Sequence, residues 1–265
     1  MNAPIAVTIA GSDSGGGAGI QADLKTFSAL GVYGASVLTA LTAQNTKGVI
    51  AIHDVPADFI AAQMDAVFSD LDVGAVKIGM LGRAAAIDAV AAGLARHGVR
   101  NVVLDPVMAA STGETLLRTD AIGALRQLAA LARVLTPNLP EAAVLLEAEV
   151  ARDEDEMRRQ AKTLLALGPD AVLIKGGHGQ GADSVDLLVE DDACTRFATP
   201  RVDTRNTHGT GCTLASAIAA GLAKGLPLSD AVGEAKAYVG AAIAAADRLR
   251  IGSGRGPVHH FHKWW

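Results

Sequence analysis

Short runs rich in β-branched residues alternate with longer Ala- and Leu-rich stretches along this 265-residue chain. The alternation is typical of βαβ units and predicts an α/β fold, with a mostly parallel sheet covered by helices on both faces. Strands are predicted at residues 5–10, 36–41, 49–53, 75–78, 101–104, 134–136 and 171–174. Residues 184–190 and 195–199 predict an antiparallel hairpin, and 210–224 and 228–249 predict two closing helices. We expect a single domain over 1–265, with a tail at 251–265.

Charge and apolar patterning exclude several classes of protein. The 23 basic and 28 acidic residues give no excess of positive charge that could bind nucleic-acid phosphates, so no nucleic-acid partner is expected. The first 20 residues hold no Lys or Arg and break into a glycine-rich loop, so neither a signal nor a transit peptide is expected. Apolar runs fall short of the roughly 20 residues that a membrane span needs, and we expect a cytoplasmic protein with no membrane partner. Cys194 and Cys212 are too few for a disulfide framework and are expected to be reduced.

The first predicted strand leads into a glycine-rich loop at residues 11–19. Its glycines do not fit G-x-G-x-x-G, and the chain holds no G-x-x-x-x-G-K-[ST], so dinucleotide-binding and P-loop sites are disfavoured. Two interpretations remain: a tight strand-to-helix turn, or a backbone that approaches a small ligand closely, with Asp23 one helical turn beyond.

A second glycine-rich segment, Gly209, Thr210, Gly211 and Cys212, opens the first closing helix. Amides at a helix start form an anion site suited to a phosphoryl group. Cys212 lies in the first turn, where we expect its thiol pKa to fall, so that it could accept a proton from a substrate hydroxyl. The alternative, a small buried apolar residue, is weakened by the flanking glycines.

Polar residues follow several other predicted strands, each with two interpretations. Asp105 and Glu141 could hold Mg²⁺ through water, or Glu141 could simply stabilise a first helical turn. Lys175 could meet phosphate oxygens or be a solvated loop lysine. Gln44 offers one acceptor and two donors, the complement of a ring nitrogen beside an amino group, unless it is a surface amide.

Taken in order, these motifs resemble one known family. They are GSDSGGGAGIQAD at 11–23, LTAQNT at 41–46, KIGML at 77–81, DPVM at 105–108, TPNLPE at 136–141, KGGH at 175–178 and NTHGTGCT at 206–213. The set closely resembles the hydroxymethylpyrimidine/phosphomethylpyrimidine kinases of thiamine biosynthesis, over residues 5 to about 250.

The resemblance implies a ribokinase-like three-layer α/β/α sandwich and two ATP-dependent reactions. The first would phosphorylate the hydroxymethyl group of 4-amino-5-hydroxymethyl-2-methylpyrimidine, and the second would convert that monophosphate to the diphosphate. ATP and Mg²⁺ are the implied cofactors, and a homodimer is the implied assembly.

The resemblance also implies roles for individual residues. The pyrimidine would lie among Gln44, Asp23, Gly11, Ala18, Met80 and Val107. The anion hole and candidate base would be Gly209, Thr210, Gly211 and Cys212, with Lys175 on phosphate. The ATP side would include Lys175, Asn138, Thr207 and Lys236, and the metal ligands would be Asp105 and Glu141. Relatives in the wider superfamily carry Asp in place of Cys212, and a loose phosphoryl transition state needs little proton removal before attack.

Two rival functions stay open at this point. A pyridoxal or pyridoxine kinase would act on a hydroxymethyl group of a similar ring, although Gln44 and Met80 favour the pyrimidine. A sensing module would bind the pyrimidine without turnover, although the intact Gly209 to Cys212 segment disfavours it. The tail concentrates three of seven histidines and both tryptophans at 259–265, and it could be a metal site, or else a docking segment or a tag-like terminus.

Overall fold

The computed structural model describes residues 3–110, 113–178, 181–191 and 193–265. Ten strands are β1 Ile5–Ala10, β2 Tyr33–Leu38, β3 Ala40–Asn45, β4 Gly48–Asp54, β5 Ala75–Ile78, β6 Val102–Leu104, β7 Val134–Leu135, β8 Val172–Lys175, β9 Asp183–Glu190 and β10 Ala193–Pro200. Eight α-helices are α1 Gly19–Ala29, α2 Ala57–Phe68, α3 Ala84–Arg96, α4 Ile122–Ala129, α5 Leu139–Leu146, α6 Glu154–Leu165, α7 Thr210–Ala223 and α8 Leu228–Ala244.

Eight strands form one sheet in the order β10-β9-β8-β7-β6-β5-β1-β2. The six strands from β8 to β2 run parallel, and β9 and β10 add an antiparallel edge. Strands β3 and β4 form a separate antiparallel hairpin. The carboxyl ends of the parallel strands share one edge, which is where open α/β sheets bind ligands.

Helices cover both faces of the sheet, as the α/β/α prediction requires. The apolar sides of α2 to α6 pack on one face, and those of α1, α7 and α8 on the other. Because strand side chains alternate between faces, Val76 and Ile78 point to the first layer and Lys77 to the second. Helix α7 is nearly all small residues, and a Cβ at its Gly221 would lie only 2.8 Å from the Cβ of Ala231 on α8.

Two predicted boundaries were wrong. The predicted strand 36–41 is divided at Thr39, whose N–H donates to the Ala10 carbonyl while its hydroxyl donates to the Met80 carbonyl. The chain leaves the large sheet there and enters the hairpin. The last helix ends at Ala244 instead of 249, where His259 N–H from the tail donates to the Ala242 carbonyl. None of the helices in the described residues is both long and apolar enough to cross a membrane.

Candidate active site

Loops from separate strand ends meet at the start of α7. A Cβ added at Gly211 would lie 3.5 Å from Lys175 Nζ and 3.7 Å from Asp105 Oδ2. Lys175 ends β8, and Asp105 directly follows β6. The structure therefore brings together Lys175, Asp105 and the segment from Gly209 to Cys212, called the anion loop below, which lie far apart in the sequence.

Gly11, Met80 and Gln44 are three of the residues that the resemblance places around the pyrimidine ring. A Cβ at Gly11 would lie 3.0 Å from Met80 Sδ, so a side chain there would crowd the methionine. Gln44 lies on β3 at a bulge, and the Ser14 hydroxyl both donates to its carbonyl and accepts from its N–H at 2.8 Å. The Thr42 hydroxyl donates to Gln44 Oε1 at 3.1 Å, which orients the amide. Within the described part of the chain, Gln44 Nε2 has no acceptor.

The backbone N–H groups of Ala18 and Val107 are already engaged inside the protein. Ala18 donates to Asp13 Oδ2 at 2.8 Å, and Val107 donates to the Asp105 carbonyl at 2.8 Å. Contacts of these two residues with a ring would therefore be apolar or involve a carbonyl.

Asp23 lies beneath the site and does not reach a ligand surface, which differs from the expected contact with the ring. It is fully buried, and its carboxylate accepts hydrogen bonds from Thr8, Lys77 and Ser216 at 2.6, 2.8 and 2.7 Å. The period of β1 and β5 explains this arrangement, since Thr8 and Lys77 are paired in register and face α1 and α7. Burial favours a neutral amine, but the Asp23 carboxylate raises the pKa of Lys77, so the buried pair is ionic.

The start of α7 is shaped by glycine. Gly209 is the N-cap with φ of 80°, a left-handed conformation that glycine adopts without strain, and any side chain there would overlap with the Gly17 carbonyl. The Thr207 carbonyl accepts from the Thr210 N–H and hydroxyl at 3.2 and 2.7 Å. The amides of Gly211 and Cys212 are first-turn donors that a helix cannot satisfy internally, and they can bind an anion.

The expectation of a lowered Cys212 pKa was wrong. Burial of the thiol raises its pKa to about 11, and the carboxylates of Asp23 and Asp105 act in the same direction. These effects outweigh Lys77 and the Gly19 amide, which favour the thiolate. Cys212 is therefore a protonated thiol at neutral pH, able to donate a weak hydrogen bond but not to accept a proton readily.

Lys175 joins the two acidic residues that were predicted to bind a metal. Its Nζ lies 2.6 Å from Asp105 Oδ1 and 4.0 Å from Glu141 Oε2. Glu141 also forms a capping box with Asn138, which confirms the first-turn interpretation of Glu141. Burial raises the pKa of Glu141 to about 7, against the opposing effect of Lys175.

The donor set fits Mg²⁺ better than a metal that needs a protein cage. The described residues hold no group of three or more His, Cys, Asp or Glu side chains that could surround an ion. Mg²⁺ takes only one or two protein carboxylates and fills its other positions with water and substrate phosphates. Asp105 and Glu141, on either side of Lys175, can supply those two.

Lys236 contacts the Lys175 loop through one intermediary. Its Nζ donates to Asp186 Oδ2 at 2.6 Å and to the Ser184 hydroxyl at 3.2 Å. The other Asp186 oxygen accepts from the Gly176 N–H at 3.0 Å. Among the predicted ATP-side residues, Asn138 is bridged directly to Lys175, whereas Lys236 is linked to the loop through Asp186.

Comparisons with known proteins agree on the family. The family model described as phosphomethylpyrimidine kinase matches residues 13–259. The chain belongs to this family. It is 64% identical over 262 residues to the hydroxymethylpyrimidine/phosphomethylpyrimidine kinase of Rhizobium meliloti, with 98% of each chain covered.

Two solved structures are similar to this phosphomethylpyrimidine kinase family member. The phosphomethylpyrimidine kinase from Clostridium difficile 630 has a TM-score of 0.79 and 44% identity, covering 89% of this chain and 97% of its own. An ADP complex of Bacillus subtilis pyridoxal kinase has a TM-score of 0.89 and 37% identity, covering 98% of both chains. The predicted ribokinase-like fold and kinase activity are thereby confirmed.

The sequence reasoning missed a buried contact that organises both glycine-rich loops of this phosphomethylpyrimidine kinase. Asp13 Oδ1 accepts from Gly15 N–H, and its Oδ2 accepts from the N–H groups of Gly17 and Ala18 and bonds to His208 Nε2. Burial favours the protonated acid, but these hydrogen bonds hold the Asp13 pKa below its ordinary value. An aspartate just before successive glycines was the available signal, because such a side chain can accept the amides of the turn that follows.

The tail of this phosphomethylpyrimidine kinase docks on the fold, in keeping with one of its two interpretations. Gly254 N–H donates to the Thr46 hydroxyl at 3.1 Å, and Gly256 N–H donates to Asn206 Oδ1 at 3.0 Å. His260 is buried, where its Nε2 lies 3.1 Å from the Thr213 hydroxyl. The tail thus bridges the β3–β4 hairpin and the segment that leads into the anion loop.

Proposed function

We propose that this phosphomethylpyrimidine kinase transfers the γ-phosphoryl group of ATP to 4-amino-5-hydroxymethyl-2-methylpyrimidine, and then phosphorylates the monophosphate to the diphosphate. The observation that carries the proposal is the meeting of the glycine-capped start of α7 with Lys175 and Asp105, whose polar atoms lie within 4 Å of the point that a Cβ on Gly211 would occupy. A loop of this kind, beside a lysine and a carboxylate, suits a phosphoryl group in transfer.

The ring would lie between Gly11, Met80 and Gln44. Gln44 Nε2 would donate to a ring nitrogen, and its Oε1 would accept from the exocyclic amino group. The Thr42 hydroxyl orients this side-chain amide, and Ser14 fixes the Gln44 backbone, before a ligand arrives. The chain is only 3% aromatic, so recognition depends on hydrogen bonds and aliphatic contacts.

In the transfer itself, the substrate hydroxyl oxygen forms a bond to the γ-phosphorus while the bond to the oxygen bridging the β- and γ-phosphates breaks, and ADP leaves with that electron pair. The amides of Gly211 and Cys212 and the ammonium of Lys175 would stabilise the charge on the phosphoryl oxygens. A protonated Cys212 thiol is compatible with this step, because a loose transition state needs little proton removal before attack. The hydroxyl proton is lost to water or to a phosphate oxygen as the new bond forms.

Asp105 and Glu141 would hold Mg²⁺. When bound, this ion neutralises charge on the ATP phosphates. Lys175, which lies between these carboxylates, would turn toward phosphate oxygens once the two acids are paired with the cation. Asp186 and Lys236 would keep the Lys175 loop in position through the Gly176 amide.

The test is direct product analysis with purified protein, ATP, Mg²⁺ and the hydroxymethylpyrimidine. Anion-exchange chromatography should detect monophosphate first and diphosphate later. Pyridoxal is the matched competitor, because a pyridoxal kinase shares the fold. A higher kcat/KM for pyridoxal would favour that rival, whereas pyrimidine binding without ATP consumption would favour a sensing module. The proposal also includes a homodimer and a cytoplasmic location. Light scattering after size-exclusion chromatography measures the mass of the assembly and so tests the homodimer.

A further inference from the structure

The C-terminal tail reaches the first turn of α7, the helix that carries the anion loop. His260 is only 5% exposed, and its Nε2 lies 3.1 Å from the Thr213 hydroxyl oxygen. Thr213 is fully buried, and its hydroxyl donates to the Gly209 carbonyl at 2.8 Å. Two consecutive hydrogen bonds therefore connect the tail to the residue that caps the helix. The function proposed above gives His260 no part.

The direction of both hydrogen bonds follows from the protons that the groups carry. A carbonyl oxygen can only accept, so the single proton of the Thr213 hydroxyl is directed to Gly209. The hydroxyl oxygen then accepts from His260. Burial lowers the pKa of His260 to about 3, so the ring is neutral at neutral pH and carries a single N–H group. That proton belongs on Nε2, because Nε2 is the atom beside the Thr213 hydroxyl.

Thr213 fixes the cap of α7 with two donors. Its backbone N–H and its hydroxyl both donate to the Gly209 carbonyl, at 2.9 and 2.8 Å. A carbonyl oxygen has two lone pairs, and both are then occupied. The peptide groups that follow Gly209 carry the amides of Gly211 and Cys212. A rotation of the cap would therefore move both amides away from a phosphoryl group bound at the start of α7.

The tail is itself fixed to α8 on either side of this contact. The His260 carbonyl accepts from the Tyr238 hydroxyl at 2.7 Å, and the His259 N–H donates to the Ala242 carbonyl at 3.0 Å. Tyr238 and Ala242 both lie on α8. The imidazole is thus supported by a helix that packs beside α7, and it can hold the Thr213 hydroxyl in one orientation.

We propose that His260 is a positioning residue for phosphoryl transfer, and that it acts on the anion loop through Thr213. The inference rests on the proposed function, which places the transferred phosphoryl group at the start of α7. A displacement of about 1 Å in the transition-state contacts can lower the rate roughly 100-fold, even when its cause lies away from the chemistry. Loss of the His260 donor should therefore lower kcat. Pyrimidine affinity should be unchanged, because the ring is bound on the Gln44 side.

Two substitutions of His260 that differ mainly in reach provide the test. The amide nitrogen of Gln can take the place of imidazole Nε2 as a donor, whereas the shorter Asn cannot reach Thr213. We expect His260→Asn to lower kcat by roughly tenfold or more, and His260→Gln to retain most of it. Both should keep the parent's pyrimidine Kd in calorimetry. His262→Asn, in the same tail, is the matched control and should retain both parameters.

A second pair of variants changes the other end of the same hydrogen bond. Thr213→Val replaces the hydroxyl with a methyl group and should lower kcat as His260→Asn does. Thr213→Ser keeps the hydroxyl and should retain kcat. The double variant, His260→Asn with Thr213→Val, should lose little more than either single variant, because both act through one chain of hydrogen bonds. Urea denaturation checks that each variant is folded in the assay, and the Thr213 pair decides if His260→Asn does not fold.

Three results would overturn the proposal: an unchanged kcat in Thr213→Val, an equal loss in His260→Gln and His260→Asn, or a pyrimidine affinity that falls as much as kcat. The last result would indicate a general loosening of the fold. A parent enzyme without kinase products would contradict the proposed function separately. Positioning is then measured by the ¹⁵N order parameters of the Gly211 and Cys212 amides, which should fall in Thr213→Val but not in Thr213→Ser. Equal order parameters in the two variants would also overturn the role of His260.

Discussion

His208 Nε2 lies 2.8 Å from Asp13 Oδ2, and this buried contact joins the loop after β1 to the loop before α7. The same Asp13 carboxylate accepts three backbone amides of the first loop. His208 in turn hydrogen-bonds through its backbone to Gly256 and Val258 of the tail. One carboxylate therefore positions the loop on the ring side relative to the loop on the phosphate side.

Asp13→Asn should weaken both stability and catalysis. The amide oxygen can accept only part of what the carboxylate accepts, and the amide NH₂ group would face N–H donors. We expect a loss of about 2–3 kcal/mol in the free energy of unfolding, measured by urea denaturation, and a lower kcat/KM. Asp88→Asn, at an exposed position, is the control. Equal stability of the two variants would show that the Asp13 contact does not organise the loops.

The buried pair of Asp23 and Lys77 should behave as a structural unit. Removing one charge leaves the other unpaired and buried, so Asp23→Asn and Lys77→Met should each cost about 3–5 kcal/mol of unfolding free energy. The double variant should lose less than the sum, because no lone charge remains. If Asp23→Asn instead folds normally and loses only pyrimidine affinity, Asp23 contacts the ring after all.

Substitutions of Gln44 and of Cys212 should affect different parameters, namely pyrimidine affinity for Gln44 and kcat for Cys212. Gln44→Ala should weaken pyrimidine binding by roughly 10- to 100-fold, because it removes paired hydrogen bonds to the ring. Cys212→Ala should mainly lower kcat. Because the thiol is protonated, Cys212→Ser, which keeps a donor, should retain more activity than Cys212→Ala. Calorimetry with the pyrimidine and steady-state rates with ATP measure the two effects.

The control for this pair is Cys194→Ala, on the edge strand β10. It should leave both parameters unchanged. A lower kcat in Gln44→Ala with intact affinity would reverse the placement of the two subsites. If Cys212→Ser is as inactive as Cys212→Ala, the result would instead support a Cys212 thiolate that acts as the base.

His260 should make the fold sensitive to mild acid. Burial lowers its pKa from 6.5 to about 3, and the charges of Lys25, His259 and His208 act in the same direction. The unfolded chain therefore binds a proton that the folded chain excludes, so stability is full above pH 6.5 and falls as the pH decreases below it. The slope should be about 1.4 kcal/mol per pH unit for this one group. Urea denaturation from pH 7 to 5 should show a smaller slope for His260→Gln, while the exposed His53→Gln should match the parent.

The layers of the fold could be predicted because the spacing of apolar residues along the sequence distinguishes strands from helices. The β5 sequence, for example, alternates between residues that face opposite helical layers. The break at Thr39 could not be predicted, since the residues on both sides favour a strand and only the contacts of Thr39 with Ala10 and Met80 divide them.

The site was predictable as a set of loops but not in its electrostatics. Glycine spacing indicated the start of α7, and the structure brings Lys175 and Asp105 to it. The pKa of Cys212 depends on burial and on Asp23 and Asp105, which are distant in sequence, so helix position alone gave the wrong sign. The burial of Asp23 could not be predicted from the sequence, because its three hydrogen-bond partners come from three other elements.

The most direct test of the central claim is the number of ADP molecules formed per pyrimidine consumed, followed over time with purified enzyme and excess ATP. The account predicts a ratio that rises from one toward two as monophosphate accumulates and is then converted to diphosphate. A ratio that stays at one with no diphosphate would limit the enzyme to a single phosphorylation. The absence of any ADP above a substrate-free blank would contradict the account altogether.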